Sequence, residues 1–387
     1  MKTVLISAGD ASGELHAAAL ALELRRRQPG LRILGLGGPA MEKAGVELVV
    51  SQRELAVGGL FEVLRDLGRI VSAWRRMVRA LAESKPDLVI LVDSPDFNLP
   101  LAKRAKRAGV PVLYYVSPQV WAWRRGRIRR IAKRVDRLAV IFPFEPAVYA
   151  GTGLAVDFVG HPLVDRLAPL ASAEDRAALR RALGLDEARP LVLLLPGSRR
   201  NEVRTTLPLQ LEAAAALHAR DPRVGFAVAV APSIERAAID EGIRATKLPA
   251  LLDLAVLEGR THEAIRAADV ALAKPGTGTL EIALLGTPLV VTARVNRLTA
   301  FLIRRLVRVS SYTMPNLIAG RAVVPEFLQE DADPVRIADA LLALLAGPAR
   351  ATQLAGLAGV REALGAGGAA RRAAEIAEEM TRGAAGP

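Results

Sequence analysis

Two stretches of the sequence decide its fold class: residues 88–98, LVILVDSPDFN, and residues 270–281, VALAKPGTGTLE. Each starts with an unbroken apolar run and ends in a polar or glycine-containing turn. A short apolar run of this kind is typical of a strand buried on both faces. In open parallel sheets, ligands bind beyond the carboxyl ends of such strands. Both stretches therefore predict a parallel strand with a candidate site at its end.

Similar runs occur on either side of the first stretch and alternate with helical patterns. The predicted strands are Thr3–Ser7, Arg32–Leu36, Leu88–Val92, Val112–Val116 and Leu138–Phe142. The predicted helices are Gly13–Arg27, Leu60–Leu81 and Leu99–Ala108. Because strands separated by helices of this length pair in parallel, residues 1–165 predict a doubly wound α/β lobe.

The same pattern begins again after residue 165. The predicted strands there are Leu191–Leu195, Gly225–Val230, Leu252–Leu257, Val270–Ala273 and Leu289–Thr292, and the predicted helices are Ser172–Leu183 and Asn201–Arg220. Residues 166–346 therefore predict a second Rossmann-like lobe. Residues 347–387 are rich in alanine and predict helices that return to pack on the first lobe.

The composition restricts the chemistry of the protein. The 387 residues include no cysteine and only four histidines, which lie far apart, so we expect no thiolate chemistry and no metal site. A net charge of +13 suggests an anionic partner: a phosphorylated substrate, an acidic membrane surface or nucleic acid. No run of about 18 uncharged apolar residues occurs, and the N-terminal apolar run is too short for a signal peptide. We therefore expect a cytoplasmic location.

Three glycine-containing loops follow predicted strands and precede predicted helices, at residues 7–13, 195–199 and 274–281. Glycines let backbone amides approach a ligand, and a helix N-terminus favours an anion. None of the loops has the P-loop spacing or a clean GxGxxG, and any one of them alone is more often a tight turn. In the second lobe, however, Arg199 could clamp a pyrophosphate and Glu281 could accept hydrogen bonds from a ribose.

The turn after Leu88–Val92 holds two carboxylates, Asp93 and Asp96. A carboxylate at the end of a strand can serve as a general base for a sugar hydroxyl. Either aspartate could instead cap the following helix. The residues alone leave both interpretations open.

The segment Ser117–Arg124, SPQVWAWR, holds two of the three tryptophans. It could be a hydrophobic plug, or a wall for a sugar or acyl chain with Arg124 directed toward a phosphate. Residues 60–81 also form an apolar helical stripe flanked by arginines, and residues 298–308 repeat that composition. A basic amphipathic helix can lie in an anionic membrane interface, although core packing is the commoner case.

Nine blocks of the sequence, taken in order, resemble those of the lipid-A-disaccharide synthase family. They are GDASGE, ELAVGGLFEVL, DSPDFN, YVSPQVWAWR, FPFE, FVGHPL, LLPGSRRNEV, KPGTGTLE and MPNLIAG, and together they extend over most of the chain. The blocks YVSPQVWAWR and MPNLIAG are the most specific of them.

The resemblance implies a GT-B fold, in which two Rossmann-like lobes face a cleft, and an inverting glycosyltransferase that needs no cofactor or metal. It implies transfer of 2,3-diacylglucosamine from its UDP derivative to 2,3-diacylglucosamine 1-phosphate, which gives a β-1,6-linked disaccharide phosphate and UDP. The location implied is the cytoplasmic face of the inner membrane. A homodimer is a further expectation of the resemblance.

The resemblance also implies roles for residues of this sequence. Asp96 would be the general base. The UDP-sugar would be bound by Ser198, Arg199, Gly276, Thr277, Glu281 and Asn316. The acceptor side of the cleft would be lined by Ser12, Gly13, Ser117, Gln119, Trp121 and Arg124. The membrane would be contacted by Leu64, Leu67, Val71 and Trp74.

One departure concerns Pro275, which stands where many members of the family have serine, and which removes an amide and a hydroxyl from the nucleotide loop. Two alternative functions also remain open on the residues. One is another GT-B enzyme of cell-envelope synthesis, either a UDP-N-acetylglucosamine transferase or an epimerase. The other is a nucleic-acid-binding protein, although aromatic residues, at 4%, are too few for a typical base-stacking surface.

Overall fold

The computed structural model describes residues 2–55, 60–123, 125–171, 175–246, 254–295, 300, 305 and 309–383. Residues 1–162 and 366–387 belong to one compact unit, and residues 163–365 form the other. Each unit is built around a parallel sheet, so the predicted α/β class is confirmed.

Seven parallel strands form the sheet of the first unit within the described residues. They are β1 Thr3–Ala8, β2 Arg32–Gly37, β3 Glu47–Ser51, β4 Leu88–Val92, β5 Val112–Tyr115, β6 Arg137–Val140 and β7 Ala155–Phe158. Their order across the sheet is β3-β2-β1-β4-β5-β6-β7. The strand order therefore reverses between β1 and β4. This is the topological switch point, where ligands bind in such folds.

Helices cover both faces of this sheet. They are α1 Ala11–Arg27, α2 Pro39–Lys43, α3 Leu60–Ser84, α4 Pro95–Arg107, α5 Val120–Trp123, α6 Ile128–Ala132 and α7 Glu145–Val148, with 3₁₀ turns at Gln52–Glu54 and Arg125–Arg127. All five residues of β4 are buried, which agrees with the continuous apolar run that predicted this strand.

The second unit has a parallel sheet of six strands in its described part. They are β8 Leu191–Leu195, β9 Gly225–Val230, β10 Leu254–Glu258, β11 Val270–Ala273, β12 Leu289–Ala293 and β13 Glu326–Leu328. Their order is β10-β9-β8-β11-β12-β13. Growth of this sheet reverses between β8 and β11, so a second switch point lies where the loops after these two strands meet.

Nine further helices surround this sheet among the described residues. They are α8 Pro162–Ala171, α9 Arg176–Ala182, α10 Arg200–His218, α11 Arg236–Ala245, α12 Thr261–Ala267, α13 Thr277–Leu284, α14 Met314–Ala319, α15 Pro334–Leu345 and α16 Pro348–Ala363, with a 3₁₀ turn at Gln329–Asp331. The last helix of the chain, α17 Ala369–Gly383, belongs to the first unit.

The division at the C-terminal end differs from the predicted one. We expected all of residues 347–387 to pack on the first lobe, but α16 belongs to the second unit. There Leu357 joins the core beneath β11 and β12, and the buried Gln353 hydrogen-bonds to the backbone of Leu289. Only α17 returns, and Lys2 Nζ donates to its Thr381 carbonyl over 2.8 Å.

No single helix among the described residues is long and apolar enough to span a membrane. The helices α15 and α16 reach the required length and composition only as a pair, and that pair is bent by 82°. Leu341 and Leu344 of α15 and Leu357 of α16 are buried in the core of the second unit. These two helices therefore pack as core helices.

Candidate active site

The end of β4 carries an unusual backbone turn. Asp93 and Ser94 have φ angles of +46° and +43°, a conformation that costs a residue with a side chain roughly 1–2 kcal/mol. Two buried side chains hold the turn: Tyr114 Oη and Asn98 Nδ2 donate to the Asp93 carbonyl over 2.5 and 2.8 Å. The protein thus fixes a strained turn at the switch point of the first sheet.

The loop after β1 packs against this turn. Ser94 Oγ donates to Asp10 Oδ2 over 2.6 Å, and the Gly13 amide donates to Asp10 Oδ1 over 2.7 Å. A Cβ on Gly9 would lie 2.9 Å from Ser94 Oγ, so a larger residue there would force the Ser94 side chain to move. The loops after β1 and β4 therefore form one hydrogen-bonded unit.

Asp93 is the perturbed carboxyl of this unit. Burial, together with the negative charge of Asp10, raises its pKa from 3.8 to about 6, although the Ser94 amide donates to its Oδ1 over 2.9 Å. A carboxylate with a raised pKa is a stronger base than an ordinary aspartate and is still mostly ionised at neutral pH. Asp93 is therefore suited to accept a proton.

Asp96 has a different environment. Its side chain is 78% exposed on the first turn of α4 and pairs with Arg127. The residue at the N-cap position is Ser94, and no side chain caps this helix. Asp96 therefore does not cap this helix, and its role as general base stays a prediction. The carboxyl with a perturbed pKa in this turn is Asp93, three residues earlier.

The residues predicted to line the acceptor side lie partly inside the first unit. Ser12 and Gln119 are exposed, whereas Gly13 is buried. Ser117 is buried with its Oγ 2.7 Å from Tyr149 Oη. Trp121 is 7% exposed, and its ring packs edge-on against the neighbouring phenylalanines Phe142 and Phe144. Trp121 is thus packed within the first unit, and its role on the acceptor side stays a prediction. Arg124 lies outside the described residues.

The predicted membrane helix is divided between core and surface. Met77 and Leu81, from the same apolar stripe, are buried against the sheet. Val71 is 39% exposed, and Trp74 is half-buried beneath the Arg104 guanidinium, 5.6 Å from its ring centroid. The side chains of Leu64 and Leu67 and most of residues 298–308 lie outside the described part of the chain.

The second unit has a cavity of about 740 Å³ at the switch point of its sheet. The loops after β8, β9, β10 and β11 line it. Five residues predicted to bind the UDP-sugar are in its lining: Ser198, Arg199, Gly276, Thr277 and Glu281. The structure thus brings together residues from two glycine loops that are separated by about 80 positions in the sequence.

Charged residues that the sequence did not single out also line this cavity. Glu202, on the first turn of α10, accepts from Lys274 Nζ over 2.8 Å and lies 3.3 Å from Arg199 Nη1. Burial alone would raise the pKa of Glu202, but the contact with Lys274, the Ser198 amide and the nearby Arg199 outweigh it and lower that pKa. Glu202, Lys274 and Arg199 therefore form a cluster of charged side chains between the two glycine loops.

Glu281, also in the cavity lining, contacts two other lining residues. Arg166 Nη2 donates to Glu281 Oε1 over 2.5 Å, and His262 Nε2 lies 3.6 Å from Oε2. The side chain is about one-fifth exposed, which leaves it accessible to a ligand. A carboxylate oriented in this way can accept hydrogen bonds from paired hydroxyls.

Asn316 is not in the lining of this cavity. It is buried, its Nδ2 donates to the Val324 carbonyl and to Glu326, and its Oδ1 accepts from the Val323 and Val324 amides over 2.7 Å. These bonds satisfy the whole amide. Asn316 therefore fixes the segment between α14 and β13, and the contact with UDP-sugar that we predicted for it has no support in its position.

No group of three or more His, Asp or Glu side chains that could hold a metal ion occurs within the described ranges.

Solved structures similar to this chain share its fold. A UDP-GlcNAc 2-epimerase from Neisseria meningitidis, bound to UDP-GlcNAc, matches with a TM-score of 0.65 at 13% identity over 98% of this chain and all of the other. The calicheamicin glycosyltransferase CalG4 matches with a TM-score of 0.63 at 17% identity over the whole of both chains. The two parallel-sheet units are thus those of the GT-B fold.

Sequence relatives are much closer. The lipid-A-disaccharide synthase of Geobacter metallireducens is 45% identical over 380 residues, 98% of this chain and 97% of the relative. That of Myxococcus xanthus is 43% identical over 378 residues, 97% of each chain. A family model described as lipid-A-disaccharide synthetase matches residues 4–379. This identity over almost the full length decides between the alternatives that the motifs left open, and the chain is a glycosyltransferase that belongs to the lipid-A-disaccharide synthase family.

Proposed function

We propose that the chain transfers 2,3-diacylglucosamine from its UDP derivative to the 6-hydroxyl of 2,3-diacylglucosamine 1-phosphate, which releases UDP. The family supports the reaction, and the cavity of the second unit is the observation that carries the donor site. Its volume of about 740 Å³ lies within the range of sites for ligands of nucleotide size. A solved structure of the same fold was determined with UDP-glucose.

In this proposal the two glycine loops bind the donor. Arg199, which is 81% exposed, can move onto the diphosphate, where a guanidinium forms paired hydrogen bonds with phosphoryl oxygens. Glu281 accepts from the ribose hydroxyls. Amides at the start of α13, after Gly276, add partial positive charge beside the leaving group. These groups stabilise the charge that develops on UDP as the glycosidic bond breaks.

We assign the role of general base to Asp93 in place of Asp96. Asp93 accepts the proton of the acceptor 6-hydroxyl as the oxygen attacks the anomeric carbon. Its support is the fixed turn, the partial burial and the pKa of about 6. The second carboxylate nearby, that of Asp10, accepts a hydrogen bond from Ser94 Oγ.

We also propose that the enzyme works at the cytoplasmic face of the inner membrane. The acylated substrates, the net charge of +13 and the exposed Val71 beside basic residues of α3 support this location. Liposome flotation tests it: Val71→Ser, combined with serine at Leu64 and Leu67, should reduce binding to anionic vesicles. Val335→Ser, at another exposed valine, should not. Homodimer formation stays a prediction.

The reaction is tested by measuring UDP release from UDP-diacylglucosamine with and without the acceptor, in detergent and EDTA. Acceptor-dependent release supports the proposal, whereas folded protein that binds UDP but releases none refutes the lipid assignment. Arg199→Ala should weaken UDP binding about tenfold. The matched control is Arg200→Ala, because Arg200 is similarly exposed and pairs with Glu235, which does not line the donor cavity.

A further inference from the structure

The ion pair between Lys274 and Glu202 lies where the two glycine loops of the donor cavity meet. Lys274 is the first residue after β11 and Glu202 lies on α10, so the pair joins residues that are 72 positions apart in the sequence. Both residues line the donor cavity and also a neighbouring cavity of about 600 Å³. Lys274 is about one-quarter exposed, and an incoming ligand can therefore reach it.

Gly197 makes room for this pair, and Gly276 lies beside it. A Cβ on Gly197, where φ is +134°, would lie 2.7 Å from Glu202 Cβ and 3.1 Å from Lys274 Cδ. A Cβ on Gly276, where φ is +141°, would have Lys274 Cε and Nζ as its nearest neighbours, at 3.6 Å. The Lys274 side chain therefore passes close to both glycine loops, and its ammonium group lies beside Gly276, just before α13.

Three donors converge on the Glu202 carboxylate. The Ser198 amide donates to Oε2 over 3.0 Å, Lys274 Nζ donates to Oε1 over 2.8 Å, and Arg199 Nη1 lies 3.3 Å from Oε1. A backbone amide, an ammonium and a guanidinium form the set of donors with which proteins bind phosphate. Glu202 thus occupies, with its own negative charge, the place where these donors would hold an anion.

Pro275, in the loop after β11, suggests a role for the neighbouring Lys274. Pro275 has no backbone N–H, so this loop offers one amide fewer to a ligand than most sequences would. The ammonium of the preceding residue lies over the same loop and can replace the missing donor with a full positive charge. A cation at this point also needs a counter-ion while the cavity is empty, and Glu202 provides it.

We propose that Lys274 is a ligand of the donor diphosphate and that Glu202 occupies its place until the phosphate arrives. On binding, Lys274, Arg199 and the Ser198 amide exchange the carboxylate for phosphoryl oxygens. This inference rests on the proposed function, because it names a contact within the same donor site. The competing explanation is that Glu202 only caps the N-terminus of α10 and that the lysine is its structural partner.

Binding of two probes by calorimetry and competition separates these explanations: UDP, and uridine, which lacks phosphate. Lys274→Met, of similar length without the charge, should weaken UDP binding about tenfold and leave uridine binding unchanged. Lys274→Arg should retain most of the UDP affinity. Glu202→Gln keeps the shape of the carboxylate but removes its charge, and it should strengthen UDP binding severalfold because the competing anion is gone.

Each result has a definite consequence. If Lys274→Met binds UDP as tightly as the wild type, or loses uridine to the same degree, Lys274 is not a phosphate ligand. If Glu202→Gln binds UDP more weakly, the carboxylate supports the bound state and does not compete with phosphate. Wild-type protein that binds no UDP would instead overturn the proposed function. Should Lys274→Met fail to fold, the Glu202→Gln and Lys274→Arg measurements still decide the inference.

Discussion

Replacement of Asp93 by asparagine should make the protein more stable and inactive at the same time. Asparagine has the same shape and keeps an oxygen that can accept from the Ser94 amide, which donates to Asp93 over 2.9 Å. It cannot ionise, so it carries no cost of burying a charge next to Asp10. It also cannot accept the proton of the acceptor hydroxyl.

The pKa of Asp93 sets the size of the effect. A pKa raised from 3.8 to about 6 means that ionised Asp93 destabilises the fold by at most ~3 kcal/mol well above pH 6. Below pH 3.8 the aspartate is protonated in both states and the cost disappears. The cost develops as pH rises from about 4 to about 6. Because the side chain is only partly buried, we expect a gain of ~1–3 kcal/mol at pH 8, a shift of about 1–4 °C in Tm for a chain of 387 residues.

The measurement is Tm against pH from 4 to 8 for the wild type, Asp93→Asn and Asp96→Asn, with UDP release measured at pH 8. Asp96→Asn is the matched control, because it makes the same chemical change three residues away at an exposed site. It should shift stability by less than ~0.5 kcal/mol and keep most of the turnover.

A Tm for Asp93→Asn that is lower than that of the wild type at pH 8, or a gain that is equal at pH 4 and pH 8, would refute the reasoning about burial. Normal turnover in Asp93→Asn would remove Asp93 from the mechanism. Loss of turnover in Asp96→Asn alone would return the role of base to Asp96.

Three further predictions concern other positions. Asn316→Ala should lower the stability by ~3 kcal/mol, seen as a lower urea midpoint, because it leaves buried backbone groups without partners; an unchanged midpoint would contradict this. Gly197→Ala should weaken UDP binding at least about tenfold in calorimetry, since the methyl group would lie 2.7 Å from Glu202 Cβ, and wild-type affinity would show that the loop can shift. Burial raises the pKa of Glu145 from 4.5 to about 8, so the wild type loses stability as pH rises through that range. Glu145→Gln should remove this loss and have a higher Tm at pH 9, and parallel pH profiles would argue against it.

The strands that the sequence predicted well lie inside the sheets. The bounds of Leu88–Val92, Leu191–Leu195, Gly225–Val230 and Val270–Ala273 agree with the structure residue for residue. The three strands that were not predicted, β3, β7 and β13, are all at sheet edges. An edge strand is short and partly exposed, so it lacks the continuous apolar run that identifies an interior strand.

The donor cavity was predictable because its residues lie in glycine loops directly after such interior strands. The difference in surroundings between Asp93 and Asp96 was not predictable, because the sequence places both in one turn. Only the packing of Tyr114 and of the β1 loop with Asp10 distinguishes them. Likewise, Trp121 belongs to a specific motif, but the motif does not show whether its ring is exposed or buried in the first unit.

The pairing of Lys274 with Glu202 depends on tertiary structure in the same way. Each residue belongs to a block that the sequence had marked, yet their charges meet only because β8 and β11 are neighbours in the sheet. Contacts between distant segments follow from strand order, which local patterns do not give.

The return of α17 to the first unit sets the order in which the protein can be completed during synthesis. The ribosome finishes residues 163–365, a continuous segment with its own core, before it delivers α17. Until then α1 lacks one of its packing partners, and Arg27 lacks Glu378, which it contacts over 2.8 Å. The unit whose residues emerge first is therefore the last to be finished. A chain that stops at residue 365 would have a complete second unit and a first unit without its last helix.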